Sequence, residues 1–290
     1  MYKTKEDVMH RVQEHYNMAQ DMGYEIVGVF LQGSWNYGDG MSDEESDVDT
    51  KCLVLPKFED FCLNKKPVST TFVCENDEHI DIKDLRLYVE CFRKQNINFV
   101  EILFTDYRII NPKYQDIFQK LIDSREEIGR YNPYAALNCM AGMAYEKLKA
   151  LEHPYPSIID KIEKYGFDGK QLSHILRLQI FMQRWLTGEP YEDCLIVPAG
   201  EVERIRRFKR NQNISLEEAR RLAEVNSDLM KEMKDLYMSR TENVINRDVD
   251  RLFKEVIVEC MKINFIDELI RGKDEYEKNN NDVRDECSDL

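Results

Sequence analysis

The sequence predicts an α+β chain, with strands and helices mixed over residues 1–130 and helices alone over residues 131–271. Three observations lead there. Two apolar runs of strand length, Ile26 to Leu31 and Cys52 to Leu55, flank a polar loop rich in glycine. Further on, two alternating segments, from Ser69 and from His79, enclose the turn signal Asn76-Asp77. After the break Gly129-Arg130-Tyr131-Asn132-Pro133 the strand signals nearly vanish.

Each element has a local cause. Residues 5–21 place Val8, Val12, Tyr16 and Ala19 on one helical side, and Gly23 is suited to a C-terminal cap. The first strand begins near Glu25, and a second is expected from Val48 to Leu55, where Pro56 stops it. Residues 57–67 read as a short helix or loop, and Ser69–Glu75 with His79–Ile82 as a β-hairpin. Asp84 is placed to cap a helix that turns Leu85, Tyr88, Val89 and Phe92 inward. A helix follows from Pro112 to Ile128. Tyr134–Leu151 carries small residues that allow close helix packing, and Ser157–Tyr165 is a shorter helical piece. The segment from Lys170 to Trp185 is helical, Tyr191–Val197 reads as extended, and Ser215 begins another helix in the pattern Ser-x-x-Glu. The pattern stays helical after Met238, and the acidic, polar stretch 272–290 is expected to be disordered.

At 290 residues the chain suits two modest domains or one large one. Its net charge of −14 excludes non-specific attraction to nucleic acid, so a polynucleotide would need a local basic patch. The first residues lack the apolar core of a signal peptide, and no run approaches membrane-spanning length. Eight scattered cysteines without metal-ligand spacing suit reduced thiols, and the expected location is cytoplasmic.

The chemistry concentrates between Gln32 and Asp49. On an extended chain Asp47 and Asp49 point to one face, and two adjacent carboxylates invite a divalent cation. Gly33 lets backbone approach a ligand, and a free N–H beside the Ser34 hydroxyl suits a phosphate oxygen. Asp81, set between Ile80 and Ile82, is costly to bury without a partner. A metal shared with Asp47 and Asp49 would be one, with Asp84 and Glu75 as alternatives for the third carboxylate and an edge-strand Asp facing water as the plain reading.

Gln32-Gly33-Ser34, a spacer and Asp47-Val48-Asp49 resemble the signature of the DNA polymerase β superfamily of nucleotidyltransferases, although Thr50 stands where an apolar residue is usual. Asp84-Leu85-Arg86 and Asn96-x-Asn98-x-x-Glu101-x-Leu103-Phe104 resemble its RNA-ligase-associated, YcgL-like branch, with Ile97 in place of a proline. There Glu101 is read as capping a helix or pairing with an arginine. Lys170, His174 and Arg177 share a helix face, and the same branch carries a Gly-x-Asp-x-Lys, a His and an Arg-Leu here. A solvated stripe is the plain alternative. Arg206 and Arg207 lie in the most basic segment of the chain.

The resemblance implies a polymerase-β-like domain with a mixed, twisted sheet, followed by a helical domain. It also implies two Mg²⁺ or Mn²⁺ ions held by Asp47, Asp49 and Asp81. The nucleoside triphosphate would rest on Gly33 and Ser34 and be met by Lys170, His174, Arg177 and either Arg206 or Arg207. The acceptor is an RNA end, a protein or a small molecule. A nucleotide-binding module without turnover is the reading outside the enzyme class.

Overall fold

The computed structural model describes residues 4–42 and 46–288, with side chains as far as residue 272. Residues 43–45 of the acidic spacer therefore lie outside the described residues. The architecture is α+β: a mixed five-stranded sheet with helices on both faces, followed by a helical region.

In the first half the order is α1 (Lys5–Asp21), β1 (Glu25–Leu31), β2 (Thr50–Leu55), α2 (Phe58–Cys62), β3 (Ser69–Val73), β4 (His79–Asp84), α3 (Leu85–Arg93), α4 (Ile97–Val100), β5 (Arg108–Ile110), α5 (Gln115–Asp123) and α6 (Arg125–Gly129). Helix α1 starts on a capping box: the Thr4 hydroxyl accepts from Asp7 N–H at 3.1 Å, and the Asp7 carboxylate accepts from Thr4 N–H at 2.7 Å. Asp84 caps α3 by accepting from Arg86 N–H, and Leu85, Tyr88, Val89 and Phe92 are all buried.

The strands run in the order β3-β4-β2-β1-β5. β2 and β4 are parallel, in the register Thr50↔Ile80 and Lys51↔Asp81, and the remaining pairs are antiparallel. Alternation sorts the side chains onto two faces. Val29, Leu31, Val48, Cys52, Val54, Ile80 and Ile82 pack with Val8, Val12 and Ala19 of α1. Phe30, Leu53 and Leu55 face the other way, into a core with Tyr88, Phe92 and Phe118. A bulge between Ile26 and Gly28 shifts the β1 register.

The second half comprises α7 (Pro133–Ala150), α8 (Ile159–Tyr165), α9 (Gly169–Leu186), α10 (Tyr191–Leu195), α11 (Ala199–Lys209), α12 (Leu216–Arg240) and α13 (Arg247–Ser288). Helices α7, α9 and α12 pack on one another, and α11 packs on α9. α13 returns to the first half, against α2, α3, α5 and β2. Phe253 stacks on Phe92 with centroids 5.9 Å apart, and the Asn264 amide donates to the Pro56 carbonyl at 2.9 Å. One hydrophobic core thus runs from Val27 and Phe30 through Leu178 and Phe181 to Val256, across residue 130.

Four elements differ from expectation. β2 starts at Thr50, so Asp47 and Asp49 precede the strand. Tyr191–Leu195 is helical where an extended piece was expected, because the Glu126 carboxylate accepts the N–H groups of Tyr191 and Glu192 at its first turn. The 112–128 helix divides into a 3₁₀ turn, α5 and α6, with Ser124 between the last two. α13 continues to Ser288, through the stretch whose composition predicts disorder. Among the described residues no helix is long and apolar enough to cross a membrane.

Candidate active site

The Gly-Ser turn and the Asp-x-Asp segment are adjacent, and main-chain groups join them. Gln32 N–H donates to the Asp49 carbonyl at 3.0 Å, and the Trp35 indole N–H donates to the Asp47 carbonyl at 3.2 Å. Gly33 adopts φ +93°, in the region that favours glycine, and the space beside its Cα is open. Residues 34–36 then form a single 3₁₀ turn.

Between the two aspartates, Val48 is fully buried in the core beneath α1, while Asp47 is exposed and Asp49 half-buried. Glu78 holds the backbone there by accepting from Val48 N–H at 3.2 Å. It also accepts from Arg11 Nε and Nη2, at 2.9 and 2.6 Å, and lies 3.4 Å from His15 Nε2. Burial alone would raise the Glu78 pKa, but the hydrogen bonds from Arg11, Asn76 and Val48 carry it below its ordinary value. His15 is buried against Thr50 and Cys74; desolvation holds its pKa down although Glu78 opposes. Nothing in the sequence marked this anchor, because Arg11 and Glu78 are 67 residues apart.

Asp49 Oδ1 accepts from the His79 N–H at 2.9 Å and lies 3.2 Å from His79 Nδ1, and its other oxygen has no hydrogen-bond partner among the described residues. Asp81 lies on β4 next to β2, but its partner differs from the shared metal that the sequence suggests. The Lys51 ammonium is 3.0 Å from Asp81 Oδ2, and it also lies 4.1 Å from the centre of the Phe99 ring. The in-register pairing of Lys51 and Asp81 gives both side chains the same face, which explains the contact. Of the alternatives, Asp84 is spent on Arg86 and its cap, and Glu75 is exposed. Among the described residues no three His, Cys, Asp or Glu side chains are grouped to hold a metal.

The donor set fits one divalent cation better than two. Asp47, exposed, and Asp49, half-buried, stand beside the turn, and Mg²⁺ is commonly held by one or two carboxylates with substrate phosphates and water. Asp81, neutralised by Lys51, does not complete a three-carboxylate set.

Glu101 is nearly fully buried and joins the Gly-Ser turn to the helical region. It accepts from Gly33 N–H at 3.2 Å and from Tyr37 O–H at 2.9 Å. The Arg177 guanidinium of α9 lies 3.9 Å over the Tyr37 ring. Burial raises the Glu101 pKa, and the Arg177 charge and these hydrogen bonds hold the rise in check. Glu101 makes no direct ion pair with an arginine among the described residues; the charge of Arg177 acts on it from behind the Tyr37 ring. Tyr37 also receives Val197 N–H on its carbonyl at 2.9 Å.

Lys170, His174 and Arg177 lie on α9 as the spacing predicts, with Lys170 exposed, His174 half-buried and Arg177 buried. The His174 pKa is pushed well below its ordinary value by burial and by the charges of Arg177, Lys147, Lys170 and Lys209. The charge of Lys147 on α7 also acts on His174, and the sequence reading missed this residue because it lies on a different helix, 23 positions before Lys170. Arg206 and Arg207 are half-buried on α11, between the core residues Ile205 and Phe208.

No protein-family model matches this chain, and no curated protein matches it. Among solved structures it is similar to a nucleotidyltransferase-like protein from Exiguobacterium sibiricum, at 12% identity and a TM-score of 0.29, over 91% of this chain and 92% of that one. A likeness that distant carries no argument, and the functional reading rests on the residues.

Proposed function

We propose that this protein is a metal-dependent nucleotidyltransferase that moves a nucleoside monophosphate from a nucleoside triphosphate to an acceptor hydroxyl. The observation that carries this reading is the contact between the left-handed Gly33 turn and the Asp47-Val48-Asp49 segment, made by Gln32 N–H on Asp49 and Trp35 on Asp47. It brings the open side of Gly33, the exposed Asp47 and the half-buried Asp49 to the same end of the sheet.

In this reading Asp47 and Asp49 hold a divalent cation, Mg²⁺ or Mn²⁺. When bound, such an ion neutralises phosphate charge and lowers the pKa of an acceptor hydroxyl. The chain's own groups do the rest. Gly33 and Ser34 admit the phosphates, and the buried Val48 with its Glu78 anchor keeps both carboxylates in place. The acceptor oxygen forms a bond to the α-phosphorus as the bond to the bridging oxygen breaks, and pyrophosphate leaves with that electron pair. The acceptor proton passes to a nearby carboxylate. Lys170, His174, Arg177 and Arg206 or Arg207 balance charge on the phosphates. An RNA end is one acceptor; a protein or small-molecule hydroxyl suits the acidic chain equally.

One observation favours a second reading, a nucleotide-binding module without turnover. The Gly33 N–H that would face a phosphate donates to Glu101.

The test is pyrophosphate release from the ribonucleoside and deoxyribonucleoside triphosphates with Mg²⁺ or Mn²⁺, with and without RNA. Release that needs metal and disappears in Asp47→Asn and Asp49→Asn, with the circular dichroism of both variants unchanged, is the expected result. Full activity in either variant overturns the assignment, and nucleotide binding without release selects the second reading.

A further inference from the structure

We propose that the β3 edge of the sheet is a homodimer interface, where a second copy of this chain pairs its own β3 antiparallel about Thr71. The two five-stranded sheets then run on as one. This surface lies outside the candidate active site, and the dimer stands or falls independently of the transferase reading.

The first observation is an edge left bare. β3 ends the strand order, all five of its residues are exposed, and among the described residues no strand pairs with its outer side. Its sequence, Ser-Thr-Thr-Phe-Val, is rich in β-branched residues and holds no charge and no proline. Sheet edges are ordinarily blunted by charge, by proline, by a covering element or by shortness. The opposite edge is blunted in this way: β5 has three residues, all half-buried, begins with Arg108 and packs beside α1.

Hydrogen-bond parity sets what the bare edge offers. Asp84 N–H donates to the Val68 carbonyl at 2.9 Å, and Cys74 N–H donates to the Glu78 carbonyl at 2.8 Å. The register between them is unbroken, from Ser69↔Lys83 to Val73↔His79, so the even-numbered residues of β3 bond to β4. The N–H and C=O groups of Ser69, Thr71 and Val73 therefore point outward. An antiparallel copy centred on Thr71 meets this set in phase. Thr71 pairs with the partner's Thr71, and Ser69 with the partner's Val73, each through both main-chain groups. Between these pairs Phe72, 39% exposed, falls opposite the partner's Thr70, an aromatic ring against a β-branched side chain on one face.

Charge selects the occupant. In this register the chain before β3 runs beside the partner's chain after it. Lys66 comes opposite the partner's Asn76, between the partner's Glu75 and the partner's Asp77. Lys66, Glu75 and Asp77 are all exposed, and none of them makes an ion pair among the described residues; Lys65 is held by Asp60 at 2.6 Å. The twofold axis repeats the match at the other end of the strand. In a chain of net charge −14, self-association needs a surface where like charges do not meet. A neutral strand with a basic flank before it and an acidic flank after it is such a surface. A parallel copy would set each flank against its own charge.

The experiment is sedimentation velocity of the full chain over a wide range of concentration. It compares wild type, Thr71→Lys, Thr71→Glu and an equimolar mixture of the two variants. Thr71 is exposed and its main-chain groups are not used by β4, so both variants should keep the wild-type circular dichroism. An interface of this size belongs to the weaker class, and a wild-type dimer with a dissociation constant on the order of 10 μM is expected. Either variant alone sets like charges against each other across the axis and should weaken the dimer at least about tenfold. The mixture sets opposite charges there and should restore it. A wild type that stays monomeric at every concentration leaves the edge to an extended segment of another protein and overturns the proposal. A dimer untouched by either variant, or weakened by both and not restored in the mixture, overturns it as well.

Discussion

Glu101 is the residue on which the site's geometry most depends. It satisfies the half-buried Gly33 N–H and the Tyr37 O–H, which is buried away from water. Glu101→Ala should therefore cost about 1–3 kcal/mol for the buried Tyr37 donor and less for the half-buried Gly33 N–H, read from urea unfolding, whereas Glu101→Gln keeps an acceptor oxygen and should cost less. The pH dependence has a definite sign. Burial lifts the Glu101 pKa above its unfolded value, so the folded state binds this proton more tightly. Wild-type stability should then fall as pH rises from the ordinary glutamate range through the raised value, a component that Glu101→Gln lacks. Measuring unfolding free energy against pH in both proteins checks it. The residue was visible in the sequence as part of Asn96-x-Asn98-x-x-Glu101, but its partners were not. Gly33 and Tyr37 lie more than sixty residues earlier, and local pattern carries no information about such pairings. Asp81 shows the same limit from the other side. Its awkward place between two isoleucines was legible and its need for a partner correctly felt, yet the strand register that supplies Lys51 is a property of the folded sheet.

Among the elements, α9 meets α11 at a closeness that only glycine permits. A Cβ on Gly169 would sit 1.9 Å from the Phe208 carbonyl oxygen, and the Asn211 side chain bridges the same point by accepting from Gly169 N–H and donating to Phe167. Gly169→Ala must push the helices apart, because the obstacle is backbone and cannot rotate away. Destabilisation of about 3 kcal/mol or more, read from the denaturation midpoint, is expected, together with loss of the Lys170–Arg177 arrangement that this helix start fixes. Most elements were legible in the chain because their signals are local: the Asp84 cap, the Ser215 cap, the Asn76-Asp77 turn and the alternation around Ile80 and Ile82. α10 was not. Five residues carry too little periodicity to declare a helix, and what decides the case is Glu126 at its first turn and the packing of Tyr191 on Phe104 and Phe181.

At the scale of the whole molecule, the return of α13 to the sheet region has the largest consequence for stability. Phe253, Val256 and Cys260 are fully buried in the core that begins at Val27. Lys120 pairs with Glu255 and Glu259 across the same contact. A fragment ending at residue 130 should be unfolded or aggregated by circular dichroism and size-exclusion chromatography. Removal of 273–290 from the full chain should leave the melting transition within a few degrees of wild type. The helical character of residues 131–271 was readable from periodicity, but the destination of the last helix was not. An apolar stripe states that a surface will be covered without saying by what.

The path of α13 also bears on how the protein is made. On the ribosome the sheet emerges early, with its face around Phe30, Leu53 and Phe92 lacking the cover that lies some 150 residues further along the chain. That face stays open until α13 has left the ribosome. Native packing of the first half must therefore wait until α13 has emerged, and a pause in translation before that point would lengthen the interval in which a nascent chain displays bare aromatic surface to its neighbours.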